Sequence, residues 1–170
     1  FNLDDDHVTN TGGRPITLEN GSTISRTNGF IRSETEDASA MVNWTINSNG
    51  SHTLPFGYDA ANYIPFTFQQ TSGAAGVVSL ATYRTAADNT PFPATVTHVR
   101  DASGNDNSAA TVDRFWHITT SGAANANLTF TYVPSEGTGI AAPRAQLWEP
   151  STTGWFPPVA GQSNPTGNST

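Results

Sequence analysis

Asp113, Glu136 and Glu149 are the carboxylates of this chain that could form an acid–base pair. A glycoside hydrolase needs only two such groups about 5 to 9.5 Å apart, one to protonate the leaving oxygen and one to attack or to activate water. Nothing in the spacing of these three sets that separation, and carboxylates on a β-protein are usually solvated. No catalytic residue is assigned, and the chain is expected not to be an enzyme. Nucleophilic catalysis asks for an exposed hydroxyl held against a base. His52, His98 and His117 fall in extended segments, His7 follows an acidic run, and no Gly-x-Ser-x-Gly elbow occurs. These histidines read as surface or packing residues.

Calcium chemistry has two places to occur. Asp101-Ala102-Ser103-Gly104-Asn105-Asp106-Asn107 is an oxygen-rich loop bent by a glycine, with Asp101, Asn105 and Asp106 as candidate ligands. Asp4-Asp5-Asp6 is the second. The loop lacks the spacing and terminal glutamate of an EF-hand, and Asx turns that satisfy their own backbone explain it as well. The expectation is therefore no cofactor, with Ca2+ the one candidate. Sugar binding rests on exposed aromatic platforms, for which Trp148, Trp155 and Tyr58 are the candidates. Large aromatics in strands are usually core, and Trp44, Trp116 and Trp148 all carry that reading. Trp155, in Thr153-Gly154-Trp155-Phe156-Pro157, is the one expected at the surface. A Trp155–Phe156 patch suits a subunit contact equally well.

These residues must be positioned by strands. The organising stretch is His52-Thr53-Leu54-Pro55-Phe56-Gly57-Tyr58 followed by Asn62-Tyr63-Ile64-Pro65-Phe66-Thr67-Phe68. Leu54 with Phe56, and Ile64 with Phe66 and Phe68, recur at the strand period of two. Pro55 and Pro65 have the opposite parity, so these strands begin at the prolines or lie at an edge. The pair is expected to be a hairpin with a tight reversal over residues 57–62. Upstream, Asn20-Gly21 and Asn28-Gly29 separate short alternating pieces and predict a β-meander. Val42, Trp44 and Ile46 share one strand face. Residues 72–76 read as a small-residue loop before a strand over 77–83, residues 85–93 as a connection, 95–99 as a strand and 101–110 as a polar loop.

Val112 to Ile118 carries large apolar residues on both faces and is expected to be a central strand. Arg114, beside Asp113, is expected to fix strand register or a loop through a carboxylate pair and not to bind a ligand. Leu128, Phe130 and Tyr132 alternate on another strand, and Ala145 to Trp148 and Trp155-Phe156 add two more. Ten to twelve short strands with no helical period predict an all-β fold, a two-sheet antiparallel sandwich of immunoglobulin-like or jelly-roll-like type.

The chain is read as one domain over residues 1–170, with 1–10 able to act as an arm and 157–170 an irregular tail. It has no cysteine, seven arginines, no lysine and a net charge of −7, with only 12% of residues charged. That excludes a disulfide framework and argues against nucleic acid. No apolar run reaches the roughly 20 residues of a membrane span. A neutral surface of hydroxyls and amides suits an extracellular protein. Asn20, Asn43, Asn49, Asn127 and Asn168 begin Asn-x-Ser/Thr triplets, of the kind that arise often by chance in such a composition. The sequence opens on Phe1 and reads as a processed protein or as a piece of a longer one.

The series Phe1-Asn2-Leu3, Ile24 through Gly29-Phe30-Ile31, Glu34, Val42-Asn43-Trp44-Thr45-Ile46, Pro55-Phe56-Gly57, Asn62-Tyr63-Ile64-Pro65-Phe66-Thr67, Pro91-x-Pro93 and Val112-Asp113-Arg114-Phe115-Trp116-His117-Ile118 is ordered along nearly the whole chain. In that order it resembles the β-sandwich modules of large extracellular proteins of Bacteroidota, many of them exported by the type IX secretion system. The resemblance implies a secreted or surface-attached domain and brings no catalytic residues. Such modules follow the Leu147-Trp148…Gly154-Trp155 section with a closing strand, and this sequence stops at Asn168-Ser169-Thr170, before it. Either that strand lies beyond, or an edge is left for a neighbour's segment such as residues 1–10, with Phe1, Leu3, Trp155 and Phe156 as contact candidates. The expected function is a structural subunit of an extracellular filament or adhesin that self-associates or joins other modules. The alternative is a polysaccharide-binding module.

Overall fold

The structure, a computed structural model, describes residues 2–3, 8–10, 13–35 and 39–163. Its strands in chain order are β1 (Asn2–Leu3), β2 (Val8–Thr9), β3 (Ile16–Leu18), β4 (Ser25–Arg26), β5 (Ile31–Arg32), β6 (Val42–Ile46), β7 (Gly50–Leu54) and β8 (Gly57–Asp59). They continue with β9 (Asn62–Tyr63), β10 (Phe66–Ala74), β11 (Gly76–Arg84), β12 (Arg114–Thr120), β13 (Ala123–Thr129), β14 (Trp148–Glu149) and β15 (Gly154–Trp155). The fold is all-β, and its only helical turns among the described residues are short 3-10 segments at Ser108–Ala110 and Pro134–Gly137.

Two sheets carry the architecture. One has the order β12-β11-β6-β3 and the other β13-β10-β7. Val42, Trp44, Ile46, Val78 and Leu80 of the first meet Leu54, Phe66 and Phe68 of the second in one buried core. The period-two spacing that marked these residues in the sequence is what turns them to a common side.

The two sheets are halves of one bent ladder. Strand β11 meets β6 from Leu80↔Val42 to Gly76↔Ile46, and β10 then meets β7 from Gln70↔Gly50 to Phe66↔Leu54. The same continuity joins β11–β12 to β10–β13, from Arg84↔Arg114 through Val78↔Thr120 and Ala74↔Ala123 to Thr67↔Thr129. Each of three long segments therefore passes from sheet to sheet through a corner, as happens where strands bend between packed layers.

Gln70 is buried at the middle corner. Its side-chain amide donates to the Gly73 carbonyl at 2.9 Å, and its Oε1 accepts from the Ala75 N–H at 3.0 Å. Gly73 has φ +81°, and a Cβ built there would lie 2.5 Å from the Ala123 carbonyl oxygen, so the corner requires glycine. Residues 72–76, expected as a loop, are thus the end of β10, the corner and the start of β11.

A second apolar cluster lies on the other side of the four-stranded sheet. Ala81, Tyr83 and Phe115 point there with Val96 and Val99, and Met41, Phe92, Trp148 and Trp155 pack against them. Residues 85–113 and the β14–β15 hairpin form this outer covering. Residues 95–99 are not a strand: Val96 and Val99 are buried from a loop whose Val96 N–H donates to the Pro93 carbonyl at 2.8 Å.

Three further expectations are corrected. The N-terminal third is no meander, because β1–β4, β2–β5 and β3–β6 are all parallel pairs between segments distant in sequence. Asn20-Gly21 still turns the chain, with the Ser22 N–H donating to the Glu19 carbonyl at 3.0 Å, but a turn does not choose the strand's partner. Strand β12 lies at a sheet edge, not at the centre. Its two apolar faces arise because both clusters reach it, Phe115 on one side and Trp116 and Ile118 on the other. Finally, β7 and β10 pair as expected, but residues 57–63 form the small β8–β9 hairpin between them instead of one tight reversal.

Candidate functional site

Arg114 begins β12 and is 3% exposed. Its Nε donates to Glu136 Oε2 at 3.0 Å and its Nη2 to Glu136 Oε1 at 2.7 Å, a two-pronged pair. Nη1 donates to Glu34 Oε1 at 2.9 Å and to Thr82 Oγ1 at 3.0 Å. Glu34 Oε2 accepts from the Arg84 N–H at 2.8 Å, Glu136 Oε2 from the Val133 N–H at 3.2 Å, and the Thr82 hydroxyl donates to the Phe115 carbonyl at 2.8 Å. Burial alone would lower the Arg114 pKa, but its hydrogen bonds and charge contacts with Glu136 and Glu34 outweigh it and raise the pKa. Tyr58, a candidate ligand platform, instead lies under this cluster, with the Arg84 guanidinium 4.9 Å and that of Arg114 5.9 Å from its ring centre. Its phenol pKa is raised, first by burial and then by Glu136. The carboxylate pairing read for Arg114 is present, but its partners are Glu136, in the 3-10 turn, and Glu34, outside any strand, not Asp113.

Asp113 and Glu136 meet at a shallow recess of about 140 Å3 between Ala87, Ser108, Thr111 and Ile140. Glu136 brings no free oxygen, since both engage Arg114. Asp113 is half-buried, and burial, then Glu136 and Asp88, raise its pKa. Glu149 sits apart in the β14–β15 turn, accepting from the Ser151 N–H at 3.0 Å. The three carboxylates are thus a clamp, a half-buried acid and a turn.

The oxygen-rich loop is tied to itself. Asp101 Oδ1 accepts from the Ser103 N–H at 2.9 Å and the Asn105 N–H at 3.0 Å, and its Oδ2 accepts from the Asn105 side chain at 3.3 Å. Asp106 accepts from the Ser108 N–H at 3.0 Å and hydroxyl at 2.6 Å. These bonds, led by the Asn105 backbone for Asp101 and the Ser108 hydroxyl for Asp106, lower both pKa values. A calcium ion would compete with every one of them. Among the described residues no group of three or more His, Asp or Glu is arranged to hold a metal. Asp4-Asp5-Asp6 and His7 lie outside the described residues.

The C-terminal aromatics turn inward. Trp155 stacks on Phe115 with centroids 6.4 Å apart and planes at 11°, and its Nε1 donates to the His98 carbonyl at 2.9 Å. Trp148 meets Trp155 at 5.2 Å and His98 at 5.3 Å, both edge-on. Trp155, expected at the surface, is therefore half-buried as a clasp between the hairpin and the sheet. Phe156 follows in the opposite parity, and the exposed residues are Leu147 at 66%, Phe156 at 46% and Val159 at 76%. The Phe156 N–H donates to the Leu147 carbonyl at 2.8 Å, which keeps the two together on the hairpin's outer side.

At the N-terminus Leu3 is buried in the main core, with β1 against β4 of its own chain, while Phe1 lies outside the described residues. The chain matches no family model, no curated protein and no solved structure.

Two features escaped the sequence reading. Glu34 stands 80 residues from Arg114, and no local pattern joins them. Exposure of Leu147 and Val159 was the other: Leu147 reads as part of a strand over Ala145 to Trp148, and Val159 lies in the stretch with no periodic pattern.

Proposed function

We propose that this chain is a non-enzymatic structural subunit of an extracellular filament or surface adhesin, joined to its neighbours by side-chain patches and strand edges. The observation that carries this reading is the exposure of Leu147 and Phe156 side by side at the C-terminal hairpin, with Val159 exposed three residues further along the chain. Grouped apolar exposure of this kind marks interaction surfaces. The low charge, the absence of cysteine and lysine and the resemblance to Bacteroidota surface modules agree with an extracellular setting. The test is analytical ultracentrifugation with electron microscopy of the purified chain beside a Leu147→Asp/Phe156→Asp variant. The expected result is assemblies from the parent chain and smaller species from the variant. A parent chain that stays monomeric at all concentrations refutes the reading.

A polysaccharide-binding module is the second reading. Phe156, an exposed aromatic beside the inward-facing Trp148 and Trp155, favours it. It predicts a monomer retained on insoluble glycan and released by Phe156→Ala.

A further inference from the structure

We infer that the free edge of β13 is a docking surface for the same strand of a second copy, antiparallel across a two-fold axis, so that two three-stranded sheets join into one of six strands. This rests on the self-association reading above and names one of its contacts.

Strand β13 pairs with β10 on one side and lies at the end of its sheet. The edge continues through the corner into β12, which also ends its sheet. From Phe115 to Thr129 this edge contains no Lys, Arg, Asp, Glu or Pro. Natural edges are usually blunted by such residues or by bulges, and the irregularity in this ladder lies on β10, between Gln70 and Ser72. The other edges of the two sheets are shorter and end at prolines or charges. Strand β3 is three residues long and is flanked by Pro15 and Glu19. Strand β7 runs into Pro55, whose carbonyl accepts from the Ile31 N–H at 2.8 Å.

The self-association reading makes a second copy the occupant, and charge leaves this face as the approach open to one. The chain carries a net −7, so two copies repel over most orientations. Strands β7, β10 and β13 hold no Lys, Arg, Asp or Glu. On their outer face Asn127 donates to Gln69 at 3.2 Å, Asn125 to Ser72 at 2.8 Å, and the Thr53 and Thr67 hydroxyls meet at 2.9 Å. Across this neutral face two acidic molecules meet with no like charges brought into direct contact. An antiparallel edge is also self-complementary, since each free N–H finds the partner's carbonyl across the two-fold. A molecule with two different contacts, this edge and the hairpin patch, is held by two neighbours and extends into an open chain.

The experiment compares sedimentation of the parent chain, an edge variant Asn125→Asp/Asn127→Asp and the patch variant Leu147→Asp/Phe156→Asp. Aspartate gives up the amide donors to Ser72 and Gln69 and places like charges opposite one another across the axis. The expected result is large species from the parent and dimers from each variant. The chain has no cysteine, so Ala123→Cys, Asn125→Cys, Asn127→Cys and Thr129→Cys can be oxidised singly and in pairwise mixtures. One single variant or one mixture is expected to give a disulfide-linked dimer, in the patch variant as well, whether or not the edge variant folds. An edge variant that sediments like the parent, a patch variant that is monomeric, or no cross-linking at any of the four positions overturns this contact and leaves the assembly reading standing. A monomeric parent chain overturns both.

Discussion

Among the buried side chains of this fold is an ion cluster centred on Arg114. Arg114 has its charge spread over Glu136 and Glu34 inside a region that excludes water. Removing one member of a buried ion cluster is costly because the remaining charges are left without a partner. Arg114→Met is expected to lose about 3–5 kcal/mol in urea unfolding at neutral pH. Asp113 works the other way. Its pKa is raised by burial, then by Glu136 and Asp88, so the folded state holds the proton more tightly than the unfolded chain. Its ionisation weakens the fold as pH rises through that raised value, and the loss disappears below the ordinary carboxylate range. Asp113→Asn is therefore expected to raise the thermal midpoint at pH 7 and to leave it unchanged at about pH 3. Arg114 was recognisable from its place at the start of an apolar strand. Its partners were not, because Glu136 lies 22 residues away and Glu34 lies 80 away.

Among elements, the corner between β10 and β11 decides how the ladder folds into two layers. Gln70 supplies to the Gly73 carbonyl and the Ala75 N–H the bonds that a straight ladder would have given them. Gln70→Leu keeps the volume but leaves both groups unpaired, at about 1–3 kcal/mol for each. Equilibrium unfolding should show that loss with the slope in denaturant unchanged. Small residues over 72–76 looked like a loop because glycine and alanine satisfy no strand pattern. Their smallness serves instead to let two strands pass closely at Gly73 and Ala123. The reverse error occurred at 95–99, where alternating residues suggested a strand. Val96 and Val99 bury themselves from a loop, which needs only their hydrophobicity and not their period.

On the scale of the whole molecule, the four-stranded sheet separates two apolar clusters. Ile46 belongs to the cluster between the sheets and Val99 to the cluster beneath the outer covering. Substitutions at sites that share no partners add to within about 0.3–0.5 kcal/mol. Ile46→Val, costing about 0.5–1.5 kcal/mol, is expected to combine additively with Val99→Ala in a double-mutant cycle measured by urea unfolding. A coupling well above that limit would show that the clusters form one unit.

By itself the sequence determined the class of the fold and much of its interior. Alternation at Val42, Trp44 and Ile46, and at Leu54, Phe66 and Phe68, is a local property that physics converts directly into buried strand faces, while Phe56 and Ile64 are buried from the connections beside them. Tertiary structure alone decided which strands became neighbours, that parallel pairs build the N-terminal third, that Trp155 turns in while Phe156 turns out, and that β13 ends its sheet. These are outcomes of long-range pairing. Backbone hydrogen-bonding groups are the same at every residue except proline, so the partner of a strand is chosen largely by the shape of the assembled core.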